Sequence, residues 1–265
     1  MFLRELLRHK RLEIAREKKK CSLNEIKKQA LRQKRKKDGR FKSALAGKGK
    51  LHLICELKKA SPSAGTLKSS FNPAALAKTF ERAGASALSV LTERRYFKGR
   101  PEFLTWLKRK TRLPLLRKDF IVDEYQVYET ALLGADAVLL IVTILTDKEL
   151  RRLIRLAQTL KLDALVEVHT KKELSRALRA KANLIGINNR NLRTLQVNPW
   201  NARRLLPKVP KRAVLVVESG IETAGHIRAY RHLGVHNFLI GTALMKSKNI
   251  AAKIKELKGK TDAAG

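Results

Sequence analysis

The sequence predicts an α/β fold of eight strand–helix units closed as a (β/α)8 barrel, with a helical N-terminal extension. Three observations carry that expectation. Apolar runs begin near His52, Ala87, Pro114, Asp136, Asp163, Asn183, Ala213 and His236, a spacing of roughly 26 residues, about one βα unit each. Amphipathic stretches of helical period lie between them. Lys58, Lys118, Glu167 and Glu218 each follow such a run. A charge at the end of a buried strand is costly without a partner or a function. Four of them on four repeating units suggest one active site assembled from distant parts of the chain.

Residues 1–50 stand outside the repeat and are read as a helical extension packed on the barrel, which spans 51–265 in a single domain overall. Phe2, Leu3, Leu6, Leu7 and Ile14 share one helix face, and Leu23, Ile26, Ala30 and Leu31 share a second. The expectation is a pair of helices lying across one mouth of the barrel; the competing reading is a basic arm without fixed structure. Asp38-Gly39 marks an end or interruption. Gly47-Lys48-Gly49-Lys50 lacks the full phosphate-loop pattern and precedes the first strand, so it reads as a linker. The first helix of the repeat is predicted from Pro73 to Ala83, with Leu76, Phe80 and Ala83 on one side and Gly84 just beyond. Pro101–Lys110 is the weakest helical stretch, followed by Asp123–Leu133. Asp147–Leu160 places Leu150, Leu153, Ile154, Ala157 and Leu160 at spacings of three and four. Thr170–Arg179, Pro199–Leu206, Thr223–Leu233 and Lys246–Leu257 complete the set. Eight such pairs close into a parallel barrel of about 250 residues. An open doubly wound sheet is the alternative, weakened because no G-x-G-x-x-G follows the first strand.

The chain has 265 residues, 44% of them hydrophobic, which suffices for one full-sized core. No apolar run reaches the ~18 residues of a membrane span, and Met1-Phe2-Leu3-Arg4-Glu5 is charged too early for a secretory leader. Two cysteines, Cys21 and Cys55, are too few for a disulfide framework, so a cytoplasmic location is expected. The net charge is +36, of which residues 1–50 supply +14 (19 Lys/Arg against 5 Asp/Glu). Such a field attracts anionic metabolites, and nonspecific, salt-sensitive RNA association is expected. Aromatic content of only 5% leaves few stacking platforms for single strands. Solvated helix faces are therefore preferred over selected RNA binding. The six histidines show no metal-ligand spacing, so no metal is assigned. A monomer is expected.

The chemistry concentrates at the strand ends. In Glu56-Leu57-Lys58, alternation puts the carboxylate and the ammonium on one face, able to grip an anionic substrate. Ser61-Pro62-Ser63-Ala64-Gly65 follows as a loop suited to a lid. In Leu116-Arg117-Lys118-Asp119-Phe120, Lys118 and Phe120 share one face, and Arg117 and Asp119 the other. A lysine in a partly dry mouth is expected to have a lowered pKa and to serve as a general acid, with a structural salt bridge as the competing account. Glu167 is the odd polar residue in Leu165-Val166-Glu167-Val168 and reads as a base or as the group that tunes Lys118. For His169, a role at a helix N-terminus or plain exposure serves equally well. Asn188-Asn189-Arg190-Asn191 suits hydroxyl and carboxylate recognition. Gly220 and Gly241 sit where the last two strands hand over to their helices, the usual phosphate position in barrels.

Taken together, these segments resemble the indole-3-glycerol-phosphate synthase family from about Leu3 to Leu257. The shared signature is Glu56-x-Lys58 with Ser61-Pro62-Ser63, then Leu88-Ser89-Val90-Leu91-Thr92-Glu93 and Leu116-Arg117-Lys118-Asp119-Phe120. It continues with Val166-Glu167-Val168, Gly186 through Leu192, and Glu218-Ser219-Gly220-Ile221. The resemblance implies a TIM barrel and a cofactor-free carbon–carbon lyase of tryptophan biosynthesis. It closes 1-(2-carboxyphenylamino)-1-deoxyribulose 5-phosphate to indole-3-glycerol phosphate with loss of carbon dioxide and water. It further implies Lys118 as general acid, Glu167 as base, and Lys58 on the substrate carboxylate. Glu56, Asn188, Arg190 and Glu218 would orient the substrate and the lysines. Ser219, Gly220, Gly241 and Thr242 would surround the phosphate, with Ser61 in the substrate loop and Phe97 and Phe120 walling the ring. Gly99-Arg100 and Thr242 depart from the family's usual residues. A related barrel, phosphoribosylanthranilate isomerase, works with a Cys–Asp pair and ranks low, because Glu56-x-Lys58 occupies the first strand end. A basic barrel that mainly binds nucleic acid is the alternative from a different class.

Overall fold

Eight parallel strands close on themselves in sequence order in the computed structural model, which describes residues 2–33, 39–47 and 49–259. Asp38 and Lys48, singled out above, lie outside the described residues. The strands are β1 His52–Leu57, β2 Ala87–Leu91, β3 Leu115–Lys118, β4 Ala137–Ile141, β5 Asp163–Val168, β6 Leu184–Asn188, β7 Val214–Glu218 and β8 Asn237–Ile240. Each begins within a residue of the expected start. β1 pairs with both β2 and β8, which closes the ring.

Alternation along the strands splits the apolar residues into two shells. Ile54, Leu116, Leu165 and Val216 join the cluster inside the barrel. Leu53, Cys55, Leu115, Val166 and Val217 join the larger cluster beneath the helices. Side chains two residues apart share a face. Glu56, Lys118, Glu167 and Glu218 therefore inherit the inward parity of Ile54, Leu116, Leu165 and Val216. The period of the strand delivers all four charges to one mouth.

The helices are α1 Phe2–Lys20, α2 Leu23–Arg32, α3 Arg40–Ser43, α4 Pro73–Arg82, α5 Glu102–Lys108, α6 Glu124–Leu132, α7 Asp147–Thr159 and α8 Lys171–Arg179. They continue with α9 Ala224–Arg231, α10 Thr242–Lys246 and α11 Ile250–Leu257. Several start on capping boxes that satisfy free backbone N–H groups, including Ser22 with Glu25, Thr146 with Glu149 and Thr170 with Glu173. Two expected helices differ. Pro199–Leu206 is not α-helical but forms 3-10 turns at Asn201–Arg204 and Leu206–Lys208. There the Asn189 amide accepts from the Ala202 N–H at 2.9 Å and donates to the Pro199 carbonyl at 3.1 Å. Pro207 offers no N–H to a ladder. The helix expected over Lys246–Leu257 starts only at Ile250, capped by Asn249, because Lys246 is the last residue of the separate α10.

The N-terminal extension touches both ends of the barrel. α2 packs on α6, and α1 runs along the rim at the C-terminal strand ends, where Lys10 lies 3.0 Å from Asp119. At the opposite end Phe41 of α3 is fully buried in the inner cluster. The Lys42 N–H donates to Asp163 at 2.8 Å, and Arg40 pairs with Asp136 at 3.1 Å. Among the described residues no helix is long and apolar enough to cross a membrane.

Candidate active site

The mouth at the C-terminal strand ends holds a cavity of about 170 Å³. Glu56, Lys58, Lys118, Glu167 and Glu218 all line it, from β1, the segment just after it, β3, β5 and β7. Lys118 Nζ donates to Glu167 Oε2 at 3.0 Å and to Glu218 Oε2 at 2.5 Å. Lys58 Nζ lies 2.9 Å from Glu56 Oε1 and donates to Thr242 Oγ1 at 3.1 Å. The other Glu56 oxygen accepts from Ser89 at 3.3 Å. Three buried carboxylates thus face two ammonium groups.

That imbalance decides the charges. Burial would lower the Lys118 ammonium, but Glu167, Glu218 and Glu56 outweigh it and raise its pKa. The lowered lysine expected from a dry mouth is therefore overturned, because the converging carboxylates matter more than the loss of water. Burial pushes the other way on Glu167, yet Lys118, His169 and its hydrogen bonds hold it ionised, below the usual carboxylate range. Glu218 goes up to about 7: burial and the nearby Glu167 and Glu56 charges overcome its bond to Lys118. Two equivalent-looking glutamates on Lys118 are thereby driven apart, a pattern that marks acid–base chemistry.

The apolar wall is Phe97 with Phe120, ring centroids 6.3 Å apart. Phe97 is held by Glu93, a buried carboxylate that accepts the backbone N–H groups of Arg95, Tyr96 and Phe97 at 3.0, 2.7 and 3.0 Å. On β6, the Asn188 side chain accepts the Arg190 N–H at 2.9 Å. The Arg190 guanidinium then reaches Ser63 at 3.1 Å and the Leu195 carbonyl at 2.8 Å. Asn188, Arg190, Ser219, Gly220, Gly241 and Thr242 line the cavity. Gly241 is required by crowding, since a Cβ there would collide with the Glu56 carboxyl. Ser219 and Gly220 both have positive φ, 64° and 71°, which turns the chain sharply after β7.

Ser61 is the exception among the residues picked from sequence. It is buried in a two-residue ribbon with Gly65–Thr66 and does not line the cavity; Ser63 is the serine of that loop bonded to Arg190. Sequence reasoning also passed over Lys10, Glu222 and Leu91. Glu222 and Leu91 line the cavity. Lys10 is only 3% exposed and pairs with Asp119 beside Lys118. Its signal was available: Lys10 falls between Leu6 and Ile14 on the buried stripe of α1.

The family model for indole-3-glycerol phosphate synthase matches residues 3–257. The chain belongs to the indole-3-glycerol phosphate synthase family. An indole-3-glycerol phosphate synthase from Acetivibrio thermocellus is 40% identical over 97% of this chain and 99% of its own length. The Legionella pneumophila synthase is 43% identical over 97% and 98%, and that of Chlorobium luteolum 48% over 79% and 80%. Among solved structures, 3-hexulose-6-phosphate synthase from Salmonella typhimurium aligns with TM-score 0.63 at 15% identity, covering 79% of this chain and 97% of its own. That likeness shows the barrel alone. None of these relatives supports a barrel that mainly binds nucleic acid.

Proposed function

We propose that this chain closes 1-(2-carboxyphenylamino)-1-deoxyribulose 5-phosphate to indole-3-glycerol phosphate, releasing carbon dioxide and water. One observation carries the assignment of roles: Lys118 lies between two buried carboxylates whose proton affinities differ, in a cavity that also offers cations and an aromatic wall. Lys118 enters protonated and protonates the ribulose carbonyl oxygen as the anthranilate carbon attacks. Its raised pKa makes it a loaded but reluctant donor. Substrate that displaces a carboxylate from Nζ, or a proton on Glu218, relieves that grip. Loss of carbon dioxide restores the aromatic ring. Glu167, ionised, takes the remaining carbon-bound proton as the hydroxyl leaves. Lys58 holds the substrate carboxylate, is oriented by Glu56, and donates during dehydration. Asn188 and Arg190 place the substrate, and Phe97 and Phe120 wall its ring. Ser219, Gly220, Gly241 and Thr242 receive the phosphate through backbone N–H groups and helix starts. Ser61 supports the lid loop from outside the cavity.

The substrate is a small carboxylate-bearing phosphate ester, and no cofactor takes part. The reading also includes a cytoplasmic monomer that associates with RNA nonspecifically at low salt. Incubation with the substrate, followed by indole fluorescence and carbon dioxide release, tests the activity. Equimolar appearance of both supports it; indole fluorescence without decarboxylation contradicts it.

A further inference from the structure

We propose that His169 is the proton relay between the base Glu167 and water, operating through a second opening behind the substrate cavity. The inference rests on Glu167 being the base of the proposed reaction. The two oxygens of Glu167 face different surroundings. Oε2 accepts from Lys118 at 3.0 Å, on the substrate side. Oε1 is buried and has no hydrogen-bond partner among the described residues. It lies 3.7 Å from His169 Nε2. His169 is itself nine-tenths buried, and neither ring nitrogen has a partner in hydrogen-bond geometry among the described residues. On its far side, Nδ1 lies 3.5 Å from Glu173 Oε2 of α8. A shift of about half an ångström brings the Glu167 contact into hydrogen-bond range.

His169 also lines a separate pocket of about 530 Å³, with Thr170, Asn189, Asn198 and Asn201 among its walls. Asn191, Gln196 and Asn198 at its edge are exposed, so it opens to water. Val197 borders both cavities. The imidazole thus stands between a catalytic carboxylate and a polar, solvent-open pocket that substrate does not have to leave. The charged groups facing it are Glu167 from its own strand, Glu173 from α8 and Glu218 from β7.

The stoichiometry calls for a proton entry, and this pocket offers one. An ionised carboxylate departs as neutral carbon dioxide, so each turnover takes one proton from water. The ribulose oxygen receives two protons and leaves as water, while Glu167 recovers one from carbon. Lys118 and Lys58 each give up one proton; the recovered one recharges Lys58 through the shared cavity once product has left. The missing one passes from water to His169, then to Glu167 Oε1. A turn of the carboxyl about its Cγ–Cδ bond hands it to Lys118 Nζ, and no electron donor or acceptor is involved.

His169→Gln and His169→Asn test the relay in the full chain by comparing single-turnover with steady-state rates. The first turnover should stay within about twofold of the parent, because the site starts loaded. Steady-state kcat should fall roughly tenfold, less than the ~10²-fold of a direct acid–base group, and added imidazole should restore it. Rates that are unchanged in both regimes overturn the relay. So do rates that fall together without imidazole rescue, which marks a structural role. A parent protein that does not close the ring strikes the reading of the site instead.

Discussion

Lys118 and Asp119 are chain neighbours at the end of one strand, and each is the centre of a buried ionic cluster. Lys118 is a cation between two buried carboxylates, Glu167 and Glu218. Asp119 is an anion between two buried cations, Lys10 at 3.0 Å and Arg117 at 3.3 Å. The second cluster is saturated. Asp119 also accepts from Thr92 at 2.6 Å and from the Phe120 N–H at 2.8 Å. Arg117 also reaches Glu129 at 2.7 Å and the Gln126 carbonyl at 3.1 Å. The first cluster is left incomplete: Glu167 Oε1 and Glu218 Oε1 are buried without partners among the described residues. Burying polar atoms without bonds costs stability, and these two oxygens are left free to accept a proton. Both residues border the cavity, but Lys118 meets the carboxylates inside it, whereas Asp119 ties β3 to α1 through Lys10. The first cluster is the proposed seat of the chemistry, and the second holds the strand that presents it.

Substitutions should separate the clusters cleanly. The largest effect is expected for Glu167→Gln, which removes the proposed base: kcat should fall on the order of 10²-fold or more, with the urea midpoint retained. A drop in midpoint matching the loss of turnover would blur the distinction. Asp119→Asn should act the other way. It removes the anion that Lys10 and Arg117 share, leaving them Glu13 and Glu129 alone, and should cost about 3 kcal/mol of stability, read by urea unfolding, while turnover of the folded fraction falls less than tenfold. The reverse ranking would place Asp119 in the chemistry.

Acid unfolding sharpens the same contrast. Burial would raise Asp119, but Lys10 and Arg117 hold it down at about 2. Its folded pKa is depressed, so its stabilisation is present above the ordinary aspartate range and is lost as pH falls through about 2. Asp119→Asn should flatten that part of the stability–pH curve. Glu218 has the opposite sign. Its folded pKa is raised to about 7, so the folded state binds the extra proton and stability falls as pH rises from the ordinary glutamate range through about 7. Glu218→Gln should remove that slope. The smallest expected effect concerns the field of the whole molecule. With a net charge of +36, capture of the dianionic substrate should slow a few-fold with added salt when capture limits kcat/KM; a flat profile would exclude steering.

Much of this was legible before any coordinates. The strand starts followed from apolar runs, the shared face of Lys118 and Phe120 from alternation, and Glu167 from being the odd polar residue in an apolar run. Three things were hidden for physical reasons. The direction of the Lys118 shift depends on how many carboxylates converge on it, which is set by closure of the ring and not by any local segment. The serine of the lid loop that meets Arg190 is Ser63, not Ser61, because the tight ribbon at Ala60–Ser61 turns Ser61 inward. The Pro199–Leu206 stretch has helical spacing, yet the Asn189 amide claims its backbone groups. Lys10 was readable from its place on the apolar stripe of α1 but was passed over, since a lysine there looks like an edge residue until its partner is known.

The most direct test of the account is turnover by Lys118→Ala at saturating substrate, followed by indole fluorescence beside urea unfolding of the same sample. The account predicts a loss on the order of 10²-fold or more with a folded protein. Undiminished turnover by folded Lys118→Ala would contradict it, because the incomplete cluster would then not be where the ring closes.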